Sequence, residues 1–432
     1  MKWWLYNALF SVVYLAMMPS FLLRMKRRGG YRLRMADRFA GYPEAVIRDF
    51  SGMNGNAVWI HAVSVGEVQV AGQLMRSLRE RDPSLRFVFS TTSSTGWKTA
   101  ESQVTERDVL IYNPLDFPCF VNKALDLVNP RAVILTETEI WPNFIREIRR
   151  RGIPLFLANA RISDRSAPRY RALRWFFGDI FRSFTKIYAQ SDLDARRLAD
   201  AGAEPTKIEV TGSYKFDVAK CNPVKEKELG DWIGGGRIML GGSTWPGEDA
   251  VLLEIFRDLP TDVKLVIAPR HFEKADQVEA NIRSAGFACV RRSRGDRKGC
   301  GGGKREVFLA DTTGELMGLF GVCTATFVGK SLCEHGSQNM IEPCLCGVPT
   351  VVGPYTENFR PVMSDLLAAE ALVQVQDAQA VGEIFKAVFD AENAPPAMVR
   401  RVDGIGERAR AAVERRRGAV GRCAADILRF AV

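Results

Sequence analysis

Short apolar runs alternate with amphipathic helical stretches along most of the chain, and the series occurs twice. In the first series the apolar runs cover 57–62, 86–90, 109–112, 132–136, 154–158, 187–190 and 208–211. In the second they cover 237–240, 263–268, 287–290, 307–310, 326–328, 350–352 and 372–375. Runs this short, and apolar at nearly every position, belong to parallel strands buried on both faces. The stretches between them, such as 144–151 and 192–201, carry a helical pattern. The prediction is an α/β chain with two doubly wound parallel sheets, each covered by helices on both faces. At 432 residues and 47% hydrophobic content, the chain can bury two such cores.

Composition then divides the chain. Residues 3–23 form a run of 21 without a charge, close to the roughly 20 needed to span a bilayer. Arg24, Lys26, Arg27, Arg28, Arg32 and Arg34 come directly after the run. A cleavable leader would carry its charge ahead of the run. Residues 1–28 therefore read as a membrane anchor with a basic collar, and the positive-inside rule keeps the rest of the chain cytoplasmic, at the inner membrane. Asn7, Ser11 and Pro19 leave a single-pass and an interfacial helix both open. Much of the net charge of +10 sits at this collar, which favours anionic membrane lipids as partners over nucleic acid. Residues 29–218 form the first domain, the glycine-rich stretch 219–236 a linker, 237–395 the second domain, and 396–432 a basic helical end. Residues 293–304, basic and rich in glycine, read as a mobile surface loop. Nine cysteines without a CxxC pair and only three histidines point to reduced thiols, with no metal and no cofactor.

In open α/β sheets ligands bind outside the carboxyl ends of the strands. His61 stands at the end of the first run, and Gly66 and Glu67 come after it, with Glu67 at a helix start. A carboxylate there gains about 0.3–1 kcal/mol as a simple cap. After the fourth run Glu137 and Glu139 lie one residue apart, a repelling pair unless a cation or proton is near. Arg161 comes after the fifth run and Lys215 closes the domain, so Glu67, Glu137, Arg161 and Lys215 face one rim. In the second half, 241–249 leads from a strand into a helix, and its free N–H groups around Ser243 and Thr244 suit a phosphate. Pro269 and Arg270 come after the next strand, and Arg270 suits phosphate neutralisation. A second cradle runs from Gly336 and Ser337 to Asn339, with Glu342 placed to accept both hydroxyls of a ribose. Gly329-Lys330-Ser331 lacks the upstream glycine of a P-loop, and the Asp192 and Asp194 pair reads as helix capping. These residues suit two Rossmann-like domains facing a central cleft. GT-B glycosyltransferases share that shape with some epimerases and phosphorylases. A UDP-sugar transferase at the membrane surface, or a tethered anionic-lipid or RNA-binding protein, stays open on residues alone.

Taken in order and spacing, the segments 61–67, 136–143, 159–163, 212–217, 242–244, 269–271, 314–320, 339–343 and 353–359, with the N-terminal anchor, resemble the 3-deoxy-D-manno-octulosonic acid (Kdo) transferases of lipopolysaccharide assembly. The resemblance implies an inverting GT-B enzyme moving Kdo from CMP-Kdo to a lipid A precursor. It implies Glu67 as general base and Glu137 and Lys215 as transition-state stabilisers. It places CMP on Pro269, Arg270, Gly314, Glu315, Leu316, Met317 and the stretch Asn339, Met340, Ile341 and Glu342. In one departure, Gln338 stands where many members carry histidine, and it can donate a hydrogen bond without carrying charge.

Overall fold

The computed structural model describes residues 2–28, 31–218, 222–297, 299 and 302–431. Its contacts divide into two units, Met1–Val218 with Gly418–Val432, and Ala219–Arg417. Each unit is built on a seven-stranded sheet in which all paired strands run parallel.

The first sheet contains β1 (Ala57–His61), β2 (Arg86–Thr91), β3 (Val109–Tyr112), β4 (Ala132–Thr136), β5 (Leu155–Ala160), β6 (Lys186–Ala189) and β7 (Ile208–Val210). Their order is β3-β2-β1-β4-β5-β6-β7, so the chain reverses direction across the sheet between β1 and β4. Every residue of β1, β4 and β5 is buried, as the unbroken apolar runs require. Trp59 shows the packing: its ring meets Phe144 edge-on at 5.0 Å, and its indole N–H donates to Ser90 Oγ at 2.8 Å. Burying side chains of this size stabilises by about 1.5–3 kcal/mol each.

The second sheet contains β8 (Arg237–Thr244), β9 (Val263–Pro269), β10 (Ala288–Arg291), β11 (Glu306–Leu309), β12 (Ala325–Val328), β13 (Thr350–Val352) and β14 (Val373–Gln374). Its order is β10-β11-β9-β8-β12-β13-β14, with the reversal between β8 and β12.

Two boundaries differ from those read in the sequence. The expected linker holds a helix, Pro223–Ile233, which packs Leu229, Trp232 and Ile233 into the second unit's core. The glycines at 234–236 end that helix, all with positive φ. The expected helical end is shared between the units. Ile405–Arg416 stays with the second, whereas Ala419–Ala431 returns to the first. The return has a plain cause: Ala419, Val420, Cys423, Ala424 and Ile427 form one apolar stripe, packed with Val68, Ala71, Leu74 and Leu78 of the helix Val65–Arg81. Asp217 fastens its start, accepting from Gly418 N at 2.6 Å and Val420 N at 2.8 Å.

The N-terminal helix runs from Lys2 to Arg28 with Pro19 inside it. Trp3, Tyr6, Phe10 and Tyr14 form one stripe that packs on the first unit, with Trp3 5.7 Å from Phe176 and Phe10 5.1 Å from Phe117. Trp4, Leu9, Val12 and Leu15 are exposed on the remaining surface. No described helix is long and apolar enough to cross a membrane; Asn7, Ser11, Pro19 and Ser20 dilute the run. The side chains at 24–32 of the basic collar lie outside the described residues, as do 298, 300 and 301 of the loop 293–304. Within that loop Ser293 is held by Asp311, and Arg294 pairs with Glu279 at 2.8 Å.

Candidate active site

Both sheets place their chemistry at the carboxyl ends of the strands flanking the reversal, where adjacent connections leave on opposite faces and open a crevice. In the first unit that point lies between β1 and β4. Glu67 sits in the first turn of Val65–Arg81 and pairs with the N-cap Ser64: its N–H donates to Ser64 Oγ at 3.3 Å, and Ser64 Oγ donates to its Oε1 at 2.7 Å. Val63 N donates to Oε2 at 3.0 Å, so both carboxylate oxygens are held. The capping role and the expected chemical role fall on the same group.

Glu137 comes directly after β4 with φ of 53°, a left-handed conformation uncommon outside glycine. Its N–H donates to Ala158 O at 2.9 Å, which pins the turn to β5. Arg161 Nε lies 3.3 Å from Glu137 Oε2. Burial raises the Glu137 carboxyl above its usual range, while Arg161 and Lys215 oppose that rise and Glu67 adds to it. Burial lowers Lys215, whereas Glu137 and Glu67 favour its charged form and Arg161 opposes it. The four residues expected at one rim thus act on one another electrostatically.

Glu139 belongs to the same cluster. Burial, and after it the Glu67 charge, pushes it up to about 7. The neighbouring His61 is fully buried, with Nδ1 2.9 Å from Ser90 Oγ, and burial lowers it to about 3, so the imidazole is neutral. Asn159 has a structural role that its place in the segment 159–163 did not reveal. Fully buried with φ of 53°, it accepts from Tyr214 N at 3.0 Å through Oδ1, which ties the end of β5 to the Lys215 turn.

In the second unit β8 and β12 flank the reversal. Ser243, at φ 54°, and the half-buried Trp245 lead into the helix Glu248–Asp258, preceded by Gly247 at φ 93°. The organiser here is Glu248, which no local pattern distinguishes from an ordinary helix cap. It is 0% exposed and accepts four backbone N–H groups. Oε2 takes Trp245 at 2.8 Å and Lys330 at 2.9 Å, and Oε1 takes Ser331 and Leu332, both at 3.2 Å. The loop after β8 is thereby bound to the loop after β12. Gly329 makes the approach possible, because a Cβ on it would lie 2.2 Å from Ser243 O. Lys330 Nζ sits 4.7 Å above the Trp245 ring. A cavity of about 80 Å³ opens beside this loop, lined by Thr244, Trp245, Asp249, Pro269, His271, Lys274 and Asn281 among others.

The other expected binding residues divide. Arg270 is exposed, with its N–H on Thr244 O at 3.0 Å, so its guanidinium is available. Gly314 has φ of 82° and open space beside it. Glu315, by contrast, is committed within the protein: Arg292 Nη2 lies at 3.0 Å and Lys225 Nζ at 3.5 Å. Burial opposes its charge, but Arg292 and Thr312 prevail and hold it below its usual range. Leu316 and Met317 pack against the core. Met340 and Ile341 are fully buried, and Ile341 N is taken by Asn339 Oδ1 at 3.1 Å, so their side chains belong to the core. Glu342 accepts from Asn339 Nδ2 at 3.0 Å, and burial raises its carboxyl. Gly336 has φ of 121° with Asn358 close by, and Ser337 N donates to Lys330 O at 2.6 Å.

The profile of the 3-Deoxy-D-manno-octulosonic-acid transferase (kdotransferase) family matches residues 33–218. The 3-deoxy-D-manno-octulosonic acid transferase of Haemophilus influenzae is 32% identical over 351 residues, covering 80% of each chain. That of Bordetella pertussis is 35% identical over 337 residues, covering 74% of this chain and 77% of its own. This chain belongs to the Kdo transferase family. It is therefore a glycosyltransferase, as its residues suggested. A crystal structure of a glycosyltransferase from Rickettsia africae agrees with the fold, with a TM-score of 0.57 over 87% of this chain and 98% of that one, at 12% identity. The two parallel-sheet α/β units resemble those of GT-B glycosyltransferases in fold.

Proposed function

We propose that this enzyme transfers Kdo from CMP-Kdo to a sugar hydroxyl of a lipid A precursor, lipid IVA, with inversion, at the cytoplasmic face of the inner membrane. The observation that carries the reading is Glu67. Its carboxylate is held by Val63 and Ser64 at the end of β1, within electrostatic reach of Glu137 and Lys215. In the proposed step Glu67 takes the hydroxyl proton as the acceptor oxygen bonds to the anomeric carbon, and the bond to CMP breaks with its electron pair leaving on phosphate. Matched general-base catalysis adds about 10² to 10⁴ in rate. Glu137 offsets the oxocarbenium charge, and Lys215 and Arg161 stabilise anionic groups at the reacting centre. Arg270 with the Ser243 and Thr244 turn supports the donor phosphate. Anionic lipids as partners are supported by the basic residues at 24–34 and by the exposed apolar residues of the N-terminal helix.

The test is the mass of a lipid A precursor incubated with purified protein and CMP-Kdo, without added metal. A gain of one or more Kdo units, reduced at least about 100-fold in Glu67→Gln while CMP still binds, supports the reading. Consumption of UDP-sugars with no gain from CMP-Kdo overturns the donor. Undiminished turnover in Glu67→Gln removes the base.

A further inference from the structure

Part of the N-terminal helix is built into the support of the Glu137 loop. The helix Pro142–Arg150 begins directly after that loop, and its own N-cap position, Trp141, provides no side-chain cap. The cap comes from Asp116, 1% exposed and 27 residues before Asn143 in the chain: Oδ2 accepts from Asn143 N at 3.0 Å and Oδ1 from Phe144 N at 2.8 Å. Tyr6 reaches the same carboxylate, its hydroxyl donating to Oδ2 at 2.7 Å. Beside it, Asn143 Nδ2 donates both to Asn7 Oδ1 at 2.7 Å and to Asp116 O at 2.5 Å. Asn143 is itself 2% exposed. Two consecutive residues of the N-terminal helix therefore complete a buried polar cluster that fixes where the loop 137–141 ends. The other end of the loop is held by β4 and by Glu137 N on Ala158 O.

A helix that served only as a tether would have no need of buried hydrogen bonds to a remote cap. Buried polar groups left unpaired are costly, so withdrawing this helix would strip partners from both Asp116 and Asn143. We propose that Tyr6 and Asn7 are positioning residues for catalysis, acting through Asp116 and Asn143 on the loop that carries Glu137 and Glu139. Seating the N-terminal helix then sets the activity as well as the location of the enzyme. The catalytic consequence rests on the transferase reading above; the structural coupling does not.

The full-length protein carrying Tyr6→Phe, which loses one hydroxyl and keeps the ring packing on Phe176, tests both parts. Hydrogen exchange read by mass spectrometry on peptides spanning 137–146 needs no substrate. Faster exchange than in the unaltered protein supports the coupling, and unchanged protection overturns it. Kdo transfer is then assayed on a detergent-dispersed acceptor, where attachment to a bilayer plays no part. The expected result is a fall in kcat of about tenfold, as for the loss of one buried hydrogen bond, with KM for CMP-Kdo unchanged. Full activity on dispersed acceptor, with loss only on acceptor in vesicles, would make the helix a tether and overturn the proposal. Asn7→Ala provides a second variant at a different bond of the cluster and is expected to show the same split. If the unaltered protein transferred no Kdo, the functional reading would fail while the exchange result still decided the coupling.

Discussion

Glu248 is the residue whose replacement tests the architecture of the second unit most directly. Each of its carboxylate oxygens accepts two backbone N–H groups at 2.8–3.2 Å, and the side chain is fully buried. Glu248→Gln keeps the shape but converts one oxygen to an amide nitrogen, so two of the four N–H groups face a donor. A buried donor without an acceptor costs about 1–3 kcal/mol, which makes the change worth roughly 2–6 kcal/mol. In a unit of this size each kcal/mol moves Tm by about 2–4 °C, so a fall of at least about 4 °C is expected. Thermal unfolding by circular dichroism measures it, and hydrogen exchange at Trp245, Lys330, Ser331 and Leu332 locates it. The strands themselves should keep their protection. A Tm within about 2 °C of the unaltered protein, with the four amides still protected, would refute the claim that this carboxylate joins the two loops.

Two further outcomes are expected of the first unit. Asp217→Ala should lower its stability by about 0.5–2 kcal/mol through loss of the cap on Ala419–Ala431 and should speed proteolysis near Gly418; a cleavage rate equal to that of the unaltered protein would contradict this. Burial raises Asp116 from 3.8 to about 7, so between those pH values the folded chain holds a proton that the unfolded chain has lost. The stability this group contributes is full below about pH 4 and is lost as pH rises through about 7. Urea unfolding of Asp116→Asn should accordingly show the unaltered protein losing stability relative to the variant between about pH 4 and pH 7. An unaltered protein that held or gained stability against the variant over that range would sink the assignment.

The paired sheets were legible because strands buried on both faces are written as continuous apolar runs. The ends of strands could be read for the same reason, and with them Glu67, Glu137, Arg161 and Lys215. Boundaries read from composition fared less well. The glycines at 234–236 suggested a linker, yet the helix before them buries Leu229, Trp232 and Ile233. Glu315 looked free to meet a nucleotide, but Arg292, which engages it, lies 23 residues away. Nothing local in the sequence couples the two.

By itself the sequence determined two doubly wound α/β cores in succession, the rim on which acidic and basic residues collect, and membership of the Kdo transferase family. These rest on periodicity and on short ordered motifs, which need only neighbours along the chain. The tertiary structure alone decided which side chains hold those motifs in place. Asp116 caps a helix that begins 26 residues later and receives Tyr6 across 110 residues, Glu248 reaches amides more than 80 residues on, and Asp217 captures a helix start 201 residues away. Each is a single carboxylate satisfying backbone N–H groups left open at a turn or helix end. Such a bond leaves no period in the sequence, because its partners become neighbours only after the sheets have formed.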